Sequence, residues 1–581
     1  MERGGRTNDR KIIQFPVRDL PAQSSVCDVT KTSGKFSLPS EPLDKTSTSE
    51  THLDNKITRA KKNSRALALL EKASQIGWRF LLKSKLTRQN PMGKSFVPGY
   101  ESPFSRSELP FLGQGIDRTL KEVETSVIPG LVKTQSPRFM GHMTSDVPFS
   151  VHLADLLASF FNQNLVKAET SGSAASIERT TVGWFHELVY RRTRSYYERI
   201  ARNPDSCLGT VTNGGTLGNL TALAVARNKL LPEVRSLGLH AAMKARGIER
   251  VVVLCSRRSH YSLRKACSLL GLGESNLLEI PVCKMSNRLD IKKLKSVFKE
   301  LEQKGAKVCA VVGNAGSTET GSVDDLNGLA DFCTQHEIWF HVDAAWGGGY
   351  LFSQKYGNLL SGIERADSTT LDGHKLIGLT MGHGLVLFRN EYDLSNIKES
   401  ANYIIRPGSY DAGRFSVEGS RPFSAFKMWF LLRSKGLKHL GERIDQGHEN
   451  AQRFAQIIRN HPEFELTSKV ETNIVTYRYF PALARKILFN QPEMHSQVNE
   501  ILNELNERIH ELGTSRGPGF VSRTKLESLD QHPGVITVLR AIPINKLSTV
   551  DHFMDLIQWQ EKIGADLLRR LEQKFTALSC R

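Results

Sequence analysis

Four short motifs in this chain place residues able to act together just after apolar runs that read as strands. Asp343 follows Ile338–Val342. His374-Lys375 follows the segment from Ser368 to Leu371. Ser259-His260 follows Val251–Leu254. Thr212-Asn213-Gly214-Gly215-Thr216 follows Leu208–Val211 and leads into an Ala/Leu-rich helical stretch from Leu217 to Leu230. In an open parallel sheet, ligands gather in the loops at the carboxyl ends of the strands, so the four motifs converge on one sheet edge.

The residue types define a chemistry. Backbone N–H groups at Gly214, Gly215 and Thr216, with a helix dipole behind them, make a site for a phosphate. An aspartate in a pocket of low dielectric holds a protonated ring nitrogen by a charge-assisted hydrogen bond. A lysine amine condenses with an aldehyde, and a histidine ring stacks on a flat heteroaromatic. Phosphate, pyridinium and aldehyde together describe pyridoxal 5′-phosphate. Taken singly, each motif also reads as a turn, a strand cap or a solvated pair, since short motifs match often by accident. Their joint order along one βα series carries the inference.

The elements that must position these residues follow from periodicity. Val251–Leu254, Val308–Val312, Ile338–Val342 and Leu385–Phe388 are continuous apolar runs, the pattern of strands buried on both faces. Helical spacing separates them at Tyr261–Leu270, Ile291–Leu301 and Leu326–His336. Strand and helix alternating at this pitch predict a parallel sheet with crossover helices. Upstream, helices are expected over Arg65–Leu82, Ile116–Leu131 and Val151–Val166. Downstream, a helix from Ala425 to Leu440 opens a stretch with a strand at Val535–Arg540. The expected organisation is a flexible tail over 1–60, a helical segment over 61–170, a large cofactor-binding domain over 171–424 and a smaller α+β domain over 425–581.

The chain has 581 residues, too many for one hydrophobic core, and its 39% hydrophobic and 24% charged residues exclude a wholly disordered polymer. Lys and Arg number 79 against 60 Asp and Glu, a formal charge of +19. These basic residues are scattered, which argues for solvated surface and against a nucleic-acid stripe. No apolar run approaches membrane-spanning length, and Met1 to Asp9 lacks a signal peptide's apolar segment. The eight cysteines are dispersed, mostly within apolar runs, as in reduced proteins of the cytoplasm. Cys333 and His336 have no second ligand pair, so no metal is expected.

These motifs resemble the group II pyridoxal phosphate-dependent amino-acid decarboxylases. The resemblance rests on Thr212 to Leu220, Ser259 to Ser262, Asn314 to Gly321, His341 to Trp346 and Ala366 to Lys375, and extends from about Ser136 to Asn545. Within the family, Ser136 to Ser145, Asn162 to Lys167, Asn402 to Arg406 and Glu418 to Arg421 look like the bacterial aspartate 1-decarboxylase branch, which makes β-alanine. The resemblance implies fold type I, the aspartate-aminotransferase-like α/β fold with a mostly parallel seven-stranded sheet, and a smaller α+β C-terminal domain. It implies Lys375 as the Schiff-base lysine, Asp343 on the pyridine nitrogen and His260 against the ring. It puts Gly215, Thr216, Ser368 and His374 at the phosphate, Ala345 under the ring, and Asn314 at a cofactor contact where relatives often have Thr. Arg540 matches the arginine that grips the substrate α-carboxylate, and Tyr403 falls where a mobile-loop tyrosine protonates Cα. His142 stands where glutamate decarboxylases place a substrate-binding Gln, and Asn213 replaces a common Ser.

The expected activity is decarboxylation of an amino acid, L-aspartate first and L-glutamate next, by a cytoplasmic homodimer. A partly protonated His142 would pair with an acidic side chain and repel a diaminobutyrate ammonium. The competing expectations are a diaminobutyrate, aromatic or cysteine-sulfinate substrate, a different cofactor-dependent lyase, or an inactive homologue used for binding.

Overall fold

Strand β2, Arg250–Ser256, shows how the sequence builds the sheet. From Val251 onward every residue is buried, because apolar layers cover both faces. Val252 and Leu254 join one apolar cluster, whereas Val251, Val253 and Cys255 join the other. In this computed structural model, which describes residues 49–96, 104, 109–401, 405–528 and 534–579, six further strands complete that sheet. They are β1 Gly209–Thr212, β3 Leu277–Ile280, β4 Ala306–Asn314, β5 Trp339–Ala344, β6 Ser368–Asp372 and β7 Gly384–Phe388. Their order is β1-β7-β6-β5-β4-β2-β3.

Strands β2 to β6 run parallel, while β7 is antiparallel to both β6 and β1. The reversal follows from chain length: Gly373 to His383 is too short for a crossover helix, so the chain can only turn back. The helix Gly215–Leu230 lies on β6 through Gly218, where a Cβ would stand 2.8 Å from the Thr370 side chain.

The smaller α+β domain has an antiparallel sheet, β8 Phe464–Leu466, β9 Val475–Tyr479, β10 Ser522–Ser528 and β11 Gly534–Ala541, in the order β10-β11-β9-β8. The helical stretch Ala425–Asn460 and the helix Val550–Ser579 supply Phe454 and Phe553 to a core with Tyr477 and Leu539. The segment at Met140 joins this domain: its N–H donates to Phe520 O, and Ile542 N–H donates back to Met140 O.

The chain divides into two units, Met1–Ala68 and Leu69–Arg581. In the first, residues 49–68 belong to the helix Ser49–Leu86, so the end of the expected tail is helical; residues 1–48 lie outside the described residues. Among the described residues, no helix is long and apolar enough to cross a membrane.

Three buried histidines make stability depend on acid. Burial lowers His186 and His341 to about 4 and His383 to about 3, the last with help from Lys427 and His374. An unfolded histidine titrates near 6.5, so below that pH the unfolded chain takes up protons that the folded rings refuse. Stability is therefore whole above about pH 6.5 and falls as the pH drops toward 4. We expect the Tm to decline by several degrees between pH 7 and pH 5 in thermal melts. A Tm unchanged over that range would show that these rings protonate without cost in the folded protein.

Candidate active site

The loops after β1, β2, β4, β5 and β6 meet in a cleft of about 570 Å³. Its lining includes Gly215, Thr216, His260, Asn314, Asp343, Ala345, His374 and Lys375, so eight of the residues expected at the cofactor share one cavity.

Asp343 comes from the carboxyl end of β5 and is 8% exposed. Both of its oxygens are held: Oδ2 accepts from Asn219 Nδ2 at 2.8 Å, and Oδ1 accepts from the Ala345 N–H at 3.1 Å. Asn219 in turn binds Ser262 Oγ at 3.0 Å, and its Oδ1 lies 3.0 Å from His341 Nε2. His341 Nδ1 lies 2.9 Å from Ser368 Oγ, which also accepts from Trp339 Nε1 at 2.9 Å. A buried relay thus runs from Trp339 to Asp343 and fixes the carboxylate that opens on the cleft. Asn219 and His341 were not singled out as functional from sequence. The available signal was spacing: His341 alternates with Asp343 on one face of β5, and Asn219 lies one helical turn beyond Gly215.

Ser368, expected at the phosphate, lies outside the lining of this cleft. It begins β6, pairs with His341 two residues below the level of Asp343, and is fully buried in the relay. Its hydroxyl is engaged on the sheet interior rather than at the loops, because strand ends, not strand starts, reach the cleft.

The helix Gly215–Leu230 begins at the cleft floor, with the Gly214 carbonyl accepting from Leu217 and Gly218. The N–H groups of its first turn have no partners within the helix, the general condition of a helix start. A Cβ on Gly215 would sit 3.0 Å from Ala345 Cβ, so glycine keeps this cradle open. Lys375 Nζ lies 3.2 Å from Asp372 Oδ2, and His374 donates its backbone N–H to the His383 carbonyl. His260 is held as a neutral ring by a lowered pKa, through desolvation first, with Asp343 opposing and Lys375 assisting. Asn314 is anchored by its N–H to Asp324 Oδ2 and accepts from Ser259 Oγ at 3.2 Å. Its Nδ2 is buried with no hydrogen-bond partner among the described residues, a donor left for a ligand.

Arg540 and His142 lie beside each other, outside the lining of this cavity. Arg540 is 7% exposed and donates to Gly141 O and to Ser522 Oγ, while its Nε has no partner among the described residues. Burial lowers it to about 10, with Glu319 opposing. Glu319 pairs with Arg258 at 3.2 Å and accepts from Thr524 Oγ1 at 3.2 Å. Desolvation first and the Arg540 charge second lower the His142 pKa, which works against the protonated ring expected from sequence. Tyr403 lies outside the described residues.

Residues 98–480 match the family described as the pyridoxal-dependent decarboxylase conserved domain. The chain belongs to this family. Its members are carboxy-lyases that use pyridoxal phosphate, and this decarboxylase has the parts that cofactor requires. The glycine cradle suits the phosphate, the fixed Asp343 carboxylate suits the ring nitrogen, and Lys375 suits the aldehyde. The decarboxylase is 34% identical over 509 residues to the aspartate 1-decarboxylase of Aliivibrio fischeri, covering 86% of this chain and 92% of that one. It is 29% identical over 457 residues to the aromatic-L-amino-acid decarboxylase of Bacillus atrophaeus, covering 77% and 85%. Its fold matches the crystal structure of mouse CSAD with a TM-score of 0.74 at 23% identity, over 86% of this chain and 99% of that one.

Proposed function

We propose that this enzyme decarboxylates a short acidic amino acid, L-aspartate to β-alanine, with L-glutamate the next-best substrate. The observation that carries the reading is the 34% identity to an aspartate 1-decarboxylase over nearly the full length of both chains.

The residues have separate tasks in this reading. When bound, pyridoxal phosphate supplies the electron sink for the pair left at Cα. Lys375 would hold the cofactor through its side-chain amine. Asp343, fixed by Asn219 and Ala345, keeps a proton on the ring nitrogen. His260 and Ala345 would hold the ring, and Asn314 would offer it an unpartnered amide. Gly215, Thr216 and His374 hold the phosphate end. Arg540 takes the α-carboxylate and so selects which bond at Cα is presented for cleavage, the positional control that separates decarboxylation from transamination. Tyr403 returns a proton to Cα. A carboxylate side chain beside His142 would oppose the Arg540 effect and draw a proton onto the ring, whereas an ammonium would add to it.

The reading includes a cytoplasmic homodimer, supported by the family resemblance and by buried, unpaired Cys255, Cys267, Cys309 and Cys333. An aromatic substrate is the second reading, favoured by the likeness to the Bacillus atrophaeus enzyme. An inactive homologue is disfavoured because Lys375 and Asp343 line one cleft.

The test is kcat/KM for aspartate, glutamate, 2,4-diaminobutyrate and phenylalanine, with His142→Gln alongside. Aspartate should lead, and the variant should lose discrimination among the four. Diaminobutyrate or phenylalanine leading by more than tenfold, about 1.4 kcal/mol of transition-state binding, would overturn the acidic-substrate reading.

A further inference from the structure

Asp372 ends β6 and turns its carboxylate beneath the glycine cradle. It is 4% exposed. Oδ2 lies 3.2 Å from Lys375 Nζ and 3.7 Å from His374 Nε2, while Oδ1 has no hydrogen-bond partner among the described residues. A Cβ built on Gly215 would stand 3.1 Å from Oδ2, and one on Gly214 would stand 3.8 Å from Oδ1. The carboxylate therefore abuts the backbone whose N–H groups make the anion site. Burying a carboxylate with one free oxygen is costly unless a cation answers it, and the cation it touches is Lys375.

This arrangement sets a buried anion beside the place a phosphate would take. A phosphate at the start of the Gly215 helix gains from the dipole but meets a second anion beneath the same turn. Lys375 relieves that repulsion only while it remains an ammonium. We propose that Asp372 is a positioning residue that docks Lys375 in the cofactor-free cleft, and that its own negative charge beneath the cradle weakens the hold on the cofactor's phosphate. The proposal rests on the placement of pyridoxal phosphate in this cleft.

The test uses pyridoxine 5′-phosphate, which has no aldehyde and cannot bond to Lys375, and pyridoxine, which has no phosphate. Calorimetry on the cofactor-free, full-length protein gives Kd for each. Asp372→Asn should bind pyridoxine 5′-phosphate about tenfold more tightly, the scale of removing one like charge at close range, and pyridoxine within twofold of the wild type. Lys375→Ala should weaken pyridoxine 5′-phosphate in the wild-type background and have a smaller effect beside Asp372→Asn. Asp372→Ser gives the same comparison if the amide is not tolerated. Equal or weaker binding of pyridoxine 5′-phosphate by both carboxylate-free variants would overturn the proposal. Asp343→Ala should weaken both ligands; if it changes neither, the placement of the cofactor is wrong and the proposal falls with it.

Discussion

Replacing Lys375 with alanine should lower kcat by roughly 10⁴-fold or more, the scale seen when a covalent catalytic residue is removed. The reason is positional. Lys375 is the lysine that lines the cleft, three residues past Asp372, and its ammonium already sits 3.2 Å from that carboxylate. The cofactor-free Tm should fall, because Asp372 then loses the cation that answers its buried carboxylate. The variant should also lose cofactor on dialysis. Stopped CO₂ release in protein that is still folded is the expected result; CO₂ release within tenfold of the wild type would remove Lys375 from the chemistry.

Asp343→Ala should cost roughly 10²–10³-fold in kcat, the range for deleting one preorganised electrostatic contact. The carboxylate is held by Asn219 and by the Ala345 N–H, so it cannot swing away, and its charge is directed at the cleft. The substitution also leaves the Asn219 amide without one acceptor in a buried setting, which costs about 1–3 kcal/mol of stability. Asp343→Asn separates the two effects, since it keeps a group in place but cannot hold a proton on a ring nitrogen. It should lose nearly as much turnover as alanine with a smaller fall in Tm. Near-normal turnover in both variants would show that Asp343 only closes its strand.

Much of this site was legible because its residues follow unmistakable strands. Val251–Leu254 is apolar throughout and Ile338–Val342 is apolar but for His341, the pattern of strands covered on both faces. His260, Asp343 and Lys375 then fall at strand ends by counting. What was missed has equally physical causes. Strand β3 lies at the sheet edge and is only partly buried, so Leu277–Ile280 lacks a continuous apolar signature. The stretch Ala425–Asn460 is two helices that meet at Gly436, whose φ of 76° is not helical, so the helix expected over Ala425–Leu440 is broken within and followed by a longer one. Ser368 was placed at the phosphate by motif, but register puts it level with His341 inside the sheet. The His142 pKa is lowered by burial first and by Arg540 second, and neither the burial nor that distant neighbour is visible in the local sequence.

The identity of the lysine that carries the cofactor tests the account at its centre. Cofactor-loaded enzyme would be reduced with borohydride, digested, and its pyridoxyl-bearing peptide sequenced by mass spectrometry. The arrangement of Asp343, Asp372 and the Gly215 cradle predicts the label on Lys375. A label on any other lysine would contradict it.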